Sequence, residues 1–222
     1  MTLVTVDEAA ARLGVSARQV QRLARAGDLV LVGPNRIEWE SVLRHQTART
    51  GHERRAWTEA TAWAAIALLA LVEVDWLGQP QRSRLKGQLR SATPEEIVAR
   101  TRNRAHLHRL TGHRAAVGRI AAEVVESGSR RDVGELTASS RDRVDGYVDP
   151  GRYDSLIARY RLTDAHDVGN IVFRVTRFDL GTVAAIAEAA DVLAGLDLAT
   201  SLDAREQSVG LAVLSEALER LP

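Results

Sequence analysis

The chain has no cysteine and a single methionine, which excludes disulfide frameworks and thiolate metal sites and suits a reducing compartment. Aromatic residues make up only 4% of it, too few to expect a stacking platform for single-stranded nucleic acid. The longest charge-free apolar run, residues 62–72, is far short of the ~20 residues that a membrane span needs. The first residues show no basic-then-apolar stretch of a secretory signal. A cytoplasmic globular protein away from membranes is the expectation. Glycine-rich phosphate loops, H-E-x-x-H and G-x-S-x-G are missing as well.

Present are 222 residues, 45% hydrophobic and 27% charged, a composition that can bury a core. Only Lys86 is a lysine among 30 basic residues, a bias that codon usage in a GC-rich genome explains. The net charge of +1 hides a division, +8 over residues 1–120 and −7 over residues 121–222. A polyanionic partner is expected for the first half alone.

Thr5-Val6-Asp7-Glu8 reads as a capping box that starts a helix through Leu13, with Gly14 as its stop. Val15 is an apolar plug, and Ser16-Ala17-Arg18-Gln19 starts a second helix that ends at Gly27. Two short helices across a tight glycine turn form a helix-turn-helix pattern. At about 100° per residue, Arg18, Arg22 and Arg25 fall within roughly 60° of one another, with Gln21 beside them. Val20, Leu23 and Ala24 fall opposite. Guanidinium groups read guanine edges or hold phosphate, and an amide reads adenine. Residues 29–32, a turn at Gly33-Pro34-Asn35, and residues 36–39 read as a two-stranded wing. A third helix is expected from Glu40.

The stretch from Val6-Asp7-Glu8-Ala9-Ala10 through Leu13-Gly14-Val15-Ser16 and Arg25-Ala26-Gly27-Asp28-Leu29 to Ile37-Glu38-Trp39 resembles the winged helix-turn-helix of excisionases and MerR-type regulators. The resemblance implies a second helix in the DNA major groove and a wing on the flanking backbone. It makes Arg18, Gln19, Gln21, Arg22, Arg25 and Arg36 the candidate DNA contacts. Pro34-Asn35 departs from the small basic turn common in such wings.

Residues 49–56 read as a linker between this domain, residues 1–48, and a second one, residues 57–222. Thr58 caps a very apolar helix over residues 59–72, expected as the spine of a second core or as a dimer seam. Helices are expected over residues 81–90 and 94–104, from Pro150, and over residues 204–221. Strands are expected over residues 107–110, 123–126, 145–148, 170–176 and 193–198. The fold class is therefore α+β, a winged helix-turn-helix joined to a mixed α/β domain. Within residues 57–222, Arg82-Ser83-Arg84-Leu85, Gly146-Tyr147-Val148, residues 169–175, Leu196-Asp197-Leu198 and Asp203-Ala204-Arg205 are similar to actinobacterial regulator-antitoxins, the AbiEi-like and some VapB-like proteins. That likeness implies a neighbouring toxin gene, autorepression of the pair and direct neutralisation of the toxin.

His106, His108 and His113 lack a further metal ligand at a convincing spacing and read as surface histidines in a basic segment. Asp203 reads as the cap of the last helix. Asp197 reads as a mid-strand carboxylate that pairs with an arginine, so Asp197, Asp203 and Glu206, with Asp191, make a weak case for metal-dependent catalysis. A binding protein without cofactor is expected, not an enzyme. Residues 82–119 carry a net charge of +8, with Arg82, Lys86 and Arg90 on one helix side and Arg100 and Arg104 on another. A DNA surface, a toxin-facing surface and a solvated exterior all fit this block. The leading expectation is an antitoxin that binds operator DNA as a homodimer, since one short helix reads few base pairs. A ligand-sensing regulator without a toxin and an excisionase-like DNA-bending protein are the alternatives.

Overall fold

The computed structural model describes residues 3–25, 27–33, 35–43, 56–127, 143–165, 169–201 and 203–222. The expected linker lies outside these residues except for Ala56. The architecture is mixed α+β, divided into two compact units, Met1–Arg54 and Arg55–Pro222.

The first unit opens with a strand absent from the sequence reading, β1 (Leu3–Thr5), followed by α1 (Val6–Leu13) and α2 (Ala17–Arg25). Strands β2 (Leu31–Gly33) and β3 (Arg36–Glu38) follow, and residues 39–43 begin helix α3. The sheet order is β1-β3-β2, antiparallel throughout. Both arms of the Thr5–Glu8 capping box form, the Glu8 amide donating to Thr5 Oγ1 at 3.2 Å and the Thr5 amide to Glu8 Oε2 at 2.7 Å. These bonds and Arg36 hold the Glu8 carboxyl below its ordinary value. Gly14 ends α1 at φ 64°, a left-handed conformation open to glycine without strain. The Ser41 hydroxyl donates to Glu38 O at 2.7 Å and accepts from the Val30 amide at 3.1 Å, tying α3 to the hairpin. Val6, Ala9, Leu13, Val20, Leu29, Ile37 and Val42 form the core.

The second unit places helices α4 (Glu59–Leu69), α5 (Gln79–Arg90) and α6 (Pro94–Arg100) before strand β4 (His106–Thr111). Next come α7 (Val117–Ala121), β5 (Val125–Glu126), β6 (Val144–Val148), α8 (Pro150–Tyr160), β7 (Thr163–Asp164) and β8 (Ile171–Val175). Helices α9 (Leu180–Ala189), α10 (Val192–Ala199) and α11 (Ala204–Glu219) close the chain. The sheet order is β5-β6-β8-β4-β7, with β6 and β8 parallel and the other pairs antiparallel. Leu110, Ile171 and Phe173 pack on one side with Ile120 of α7 and Leu156 of α8. On the other side Tyr147 enters a larger helical core with Trp63, Ile66, Leu89, Ile97, Ile186, Leu193 and Leu214.

Helix α4 is the spine of that core: residues 62–70 are all buried, which leaves it no face for a dimer seam. It stops at Leu69 because Leu71 adopts φ 60° and the Val72 amide bonds back to Ala67 O at 2.8 Å, a Schellman-type end without the usual glycine. Three expectations are corrected. Residues 193–198 lie in helix α10, not a strand; a short run that is apolar except for Asp197 carries no periodicity that separates the two. Only Val125 and Glu126 of residues 123–126 are extended. The helix expected over residues 94–104 ends at Arg100, where the Thr101 hydroxyl donates to Ile97 O at 2.8 Å and the chain tightens into a 3-10 turn, Arg102–Arg104.

Candidate nucleic-acid interface

Helix α2 starts at a true cap, with the Gln19 amide donating to Ser16 Oγ at 3.2 Å. It ends where Gly27, at φ 81°, lets the Asp28 amide reach back to Leu23 O at 2.9 Å. Both ends are thus set by local chemistry, and the helix between them is strongly two-faced. Val20 is completely buried, with Leu23 and Ala24 partly buried against the same core. Arg18, Gln21, Arg22 and Arg25 are exposed, and Gln19 is half-buried. Arg36, on β3 beside Thr5 in the register, is exposed as well. The described residues thus place four of the five candidate side chains of α2 on its solvent side. Arg12, one helix earlier, lies over the Trp39 ring at 5.8 Å, a packing contact.

The β2–β3 hairpin, expected as a wing, differs from a basic finger. Its edge strand β2 exposes Leu31 and Val32, with Val30 exposed just before it, and Asn35 makes the turn at φ 61°. Arg36 is its one exposed cation among the described residues.

The basic block of the second unit is not one continuous face. Arg82 donates to Val74 O at 2.7 Å and Arg90 to Pro222 O at 2.6 Å. Arg100 lies over the Trp57 ring at 5.3 Å and contacts Gln88. Lys86 is half-buried on α5. Arg104 is corrected outright: it is 4% exposed, because the 3-10 turn swings it away from the helical spacing that pairs it with Arg100.

Arg104 belongs to a buried polar centre whose members are far apart in the sequence. Its Nη2 donates to Asp197 Oδ1 at 2.7 Å and its Nε to the Tyr147 hydroxyl at 3.0 Å. The Tyr147 hydroxyl donates to the same Asp197 oxygen at 2.9 Å. Arg174 Nε lies 3.2 Å from Asp197 Oδ2 and donates to Asp145 at 2.9 Å. Asp197 therefore pairs with arginines, as expected, though from a helix and not from a strand. Burial works against the Arg104 charge, but Tyr147 and Asp197 hold its guanidinium above the ordinary arginine value. Burial pushes the Tyr147 hydroxyl well above the usual tyrosine range, so it stays a neutral donor. The sequence signal was Arg174 itself, a charge inside the apolar strand Ile171–Val175.

His108 faces Tyr153, its Nδ1 3.1 Å from the phenol oxygen, and no group of three or more His, Asp or Glu able to hold a metal occurs among the described residues. Asp203 caps α11 through the amides of Arg205 and Glu206 at 2.7 and 3.1 Å. No described helix is long and apolar enough to cross a membrane. No family model, curated protein or solved structure matches the chain.

Proposed function

We propose that the chain is a sequence-specific DNA-binding regulator whose first unit is a winged helix-turn-helix. The observation that carries this reading is the outward side of α2, where Arg18, Gln21, Arg22 and Arg25 stand exposed while Val20 anchors the opposite side. A nine-residue helix is about 14 Å long and fits a major groove about 12 Å wide. Arg22 and Arg25 supply bidentate donors for guanine, Gln21 matches adenine, and Arg36 on the wing meets phosphate. A single helix of this length covers only a few base pairs, so two copies act on a palindromic operator.

The regulator serves as the antitoxin of a two-gene pair, repressing its own operon and binding its toxin through the second unit. The likeness of residues 57–222 to regulator-antitoxins supports this, as does a second unit much larger than DNA readout requires. The test is an electrophoretic titration of the chain's own promoter against scrambled DNA, with a calorimetric titration of the neighbouring gene product. Equal affinity for both DNAs overturns the regulator; no heat with the neighbouring product overturns the antitoxin.

A further inference from the structure

The second sheet is covered unequally. On the side of the larger core, its strands present Leu107, Arg109 and Thr111 from β4, Val172 and Arg174 from β8, with Thr176 just past its end, and Asp145 and Tyr147 from β6. The helices close over Tyr147, Arg174 and Thr176, each less than a tenth exposed. Among the described residues the other end of that side is more open. Leu107 is 41% exposed, Arg109, Thr111 and Asp145 are exposed and Val172 is half-buried, and among the described residues neither Leu107 nor Val172 packs into either core. Arg109 forms no side-chain hydrogen bond or ion pair among the described residues; burial and then Arg174 work against its charge, and Asp145 of the same chain favours it from a distance.

The register orders these groups. Val172 pairs with Arg109 on one neighbouring strand and with Asp145 on the other. Cation, apolar side chain and anion thus form one row, at strand spacings of about 4.8 Å. A two-fold axis drawn parallel to the strands above Val172 sets the Arg109 of a second copy over Asp145, and the Asp145 of that copy over Arg109. The two Val172 side chains meet on the axis. Isologous interfaces require this kind of self-complementarity. The carboxylate has capacity for it: Arg174 holds Asp145 at 2.9 and 3.0 Å from the side, the side chain remains 45% exposed, and a carboxylate accepts about four hydrogen bonds. Nucleic acid suits this surface less, because Leu107 and Val172 occupy its middle and Asp145 repels phosphate.

We propose that this open half of the second sheet is a homodimer interface, with Val172 on the two-fold axis and Arg109 paired to Asp145 of a second copy. The proposal rests on the regulator reading only for the use of the dimer, which brings two α2 helices to one operator. The patch spans three strands, so association belongs at the weak, concentration-dependent end of the range for specific interfaces.

Sedimentation equilibrium of the full chain without DNA tests it over a concentration series. The wild type reversibly dimerises, and Arg109→Glu and Val172→Glu each raise the dissociation constant at least tenfold, with circular dichroism melts confirming that each variant folds. A single thiol in this cysteine-free chain gives a second readout that does not depend on charge insertion. Facing sheets lie about 10 Å apart, beyond a disulfide but within reach of a short bismaleimide. The Val172→Cys variant is then cross-linked to a covalent dimer and Asp154→Cys, on exposed α8, is not. A wild type monomeric at every concentration, or a dimer that the Arg109 and Val172 variants leave unchanged, overturns the interface. Operator binding measured separately distinguishes the two ideas: specific DNA binding by a monomeric chain removes the interface and leaves the regulator, and a dimer through Val172 without specific DNA binding does the reverse.

Discussion

Arg104 and Asp197 are separated by 93 residues in sequence and joined by a 2.7 Å ion pair with both side chains almost wholly buried. Asp197 also faces Arg174, so one carboxylate balances two guanidinium groups, with Asp145 balancing the second from the sheet side. Breaking such a pair strands a buried charge, which costs more than the pair itself contributes.

The Asp197→Ala variant is accordingly expected to lose about 3–5 kcal/mol of stability. The joint replacement Arg104→Met with Asp197→Leu is expected to lose less than Asp197→Ala alone, because it leaves no new unpaired charge on Arg104. Urea unfolding of the three proteins measures both. A double variant less stable than the single one contradicts this account.

Helices α10 and α11 meet through backbone. A β-carbon on Gly195 sits 2.7 Å from Val213 Cγ1, and one on Gly210 runs into Ala199 N and Gly195 O. The Gly210→Ala variant therefore forces the helices apart and is expected to cost about 1–3 kcal/mol or more, as overpacking does. Gly87, inside α5 with open space around its β-position, gives the opposite sign: Gly87→Ala stabilises by about 0.5–1 kcal/mol. Thermal melts of the two variants read opposite shifts.

Leu71 is 65% exposed and left-handed at φ 60°. A side chain in that conformation costs roughly 1–2 kcal/mol relative to glycine, and an exposed leucine returns little by packing. Leu71→Gly is expected to raise the melting temperature of the second unit. An unchanged or lower value shows that Leu71 makes packing contacts worth more than the strain.

On DNA, Arg22→Ala or Arg25→Ala is expected to cost about 1–3 kcal/mol at one operator position where the side chain reads a base. Arg36→Ala lowers affinity for every sequence alike and reduces the salt slope by about one counterion. Electrophoretic titrations at several salt concentrations separate the two behaviours. Unchanged binding by the combined Arg18→Ala, Arg22→Ala, Arg25→Ala protein removes α2 from the interface.

What the sequence disclosed was governed by chemistry within a few residues. Thr5, Ser16, Thr93, Asp149 and Asp203 all bond an amide two or three residues on, so the starts of their helices were legible. The two sides of α2 were legible for the same reason. What failed depended on partners distant in the chain. β1 is three residues long and is defined by pairing with β3, and β7 is two residues long and defined by β4. Helix α9 and the short α7 carry no strong helical periodicity of their own, although Asp179 caps α9 through the Thr182 amide. Residues 193–198 are apolar on every side except at Asp197, because they are buried on every side. Arg104 looked like the next exposed cation after Arg100 because helical spacing was extended across Thr101, where the helix had ended.

The Trp63 indole N–H lies within hydrogen-bond reach of two acceptors, Arg104 O at 3.0 Å and Thr176 Oγ1 at 3.1 Å. The second acceptor lies 113 residues further along the chain. During synthesis, at about 5–20 residues per second, the spine helix of the second unit must wait for that segment before its indole can be satisfied. The first unit needs no such delay, since its core among the described residues runs from Val4 to Val42. The proposed DNA-reading unit can therefore be complete on the ribosome while the unit that would control it is still being made, and a nascent chain can hold α2 ready before it can pair with a second copy.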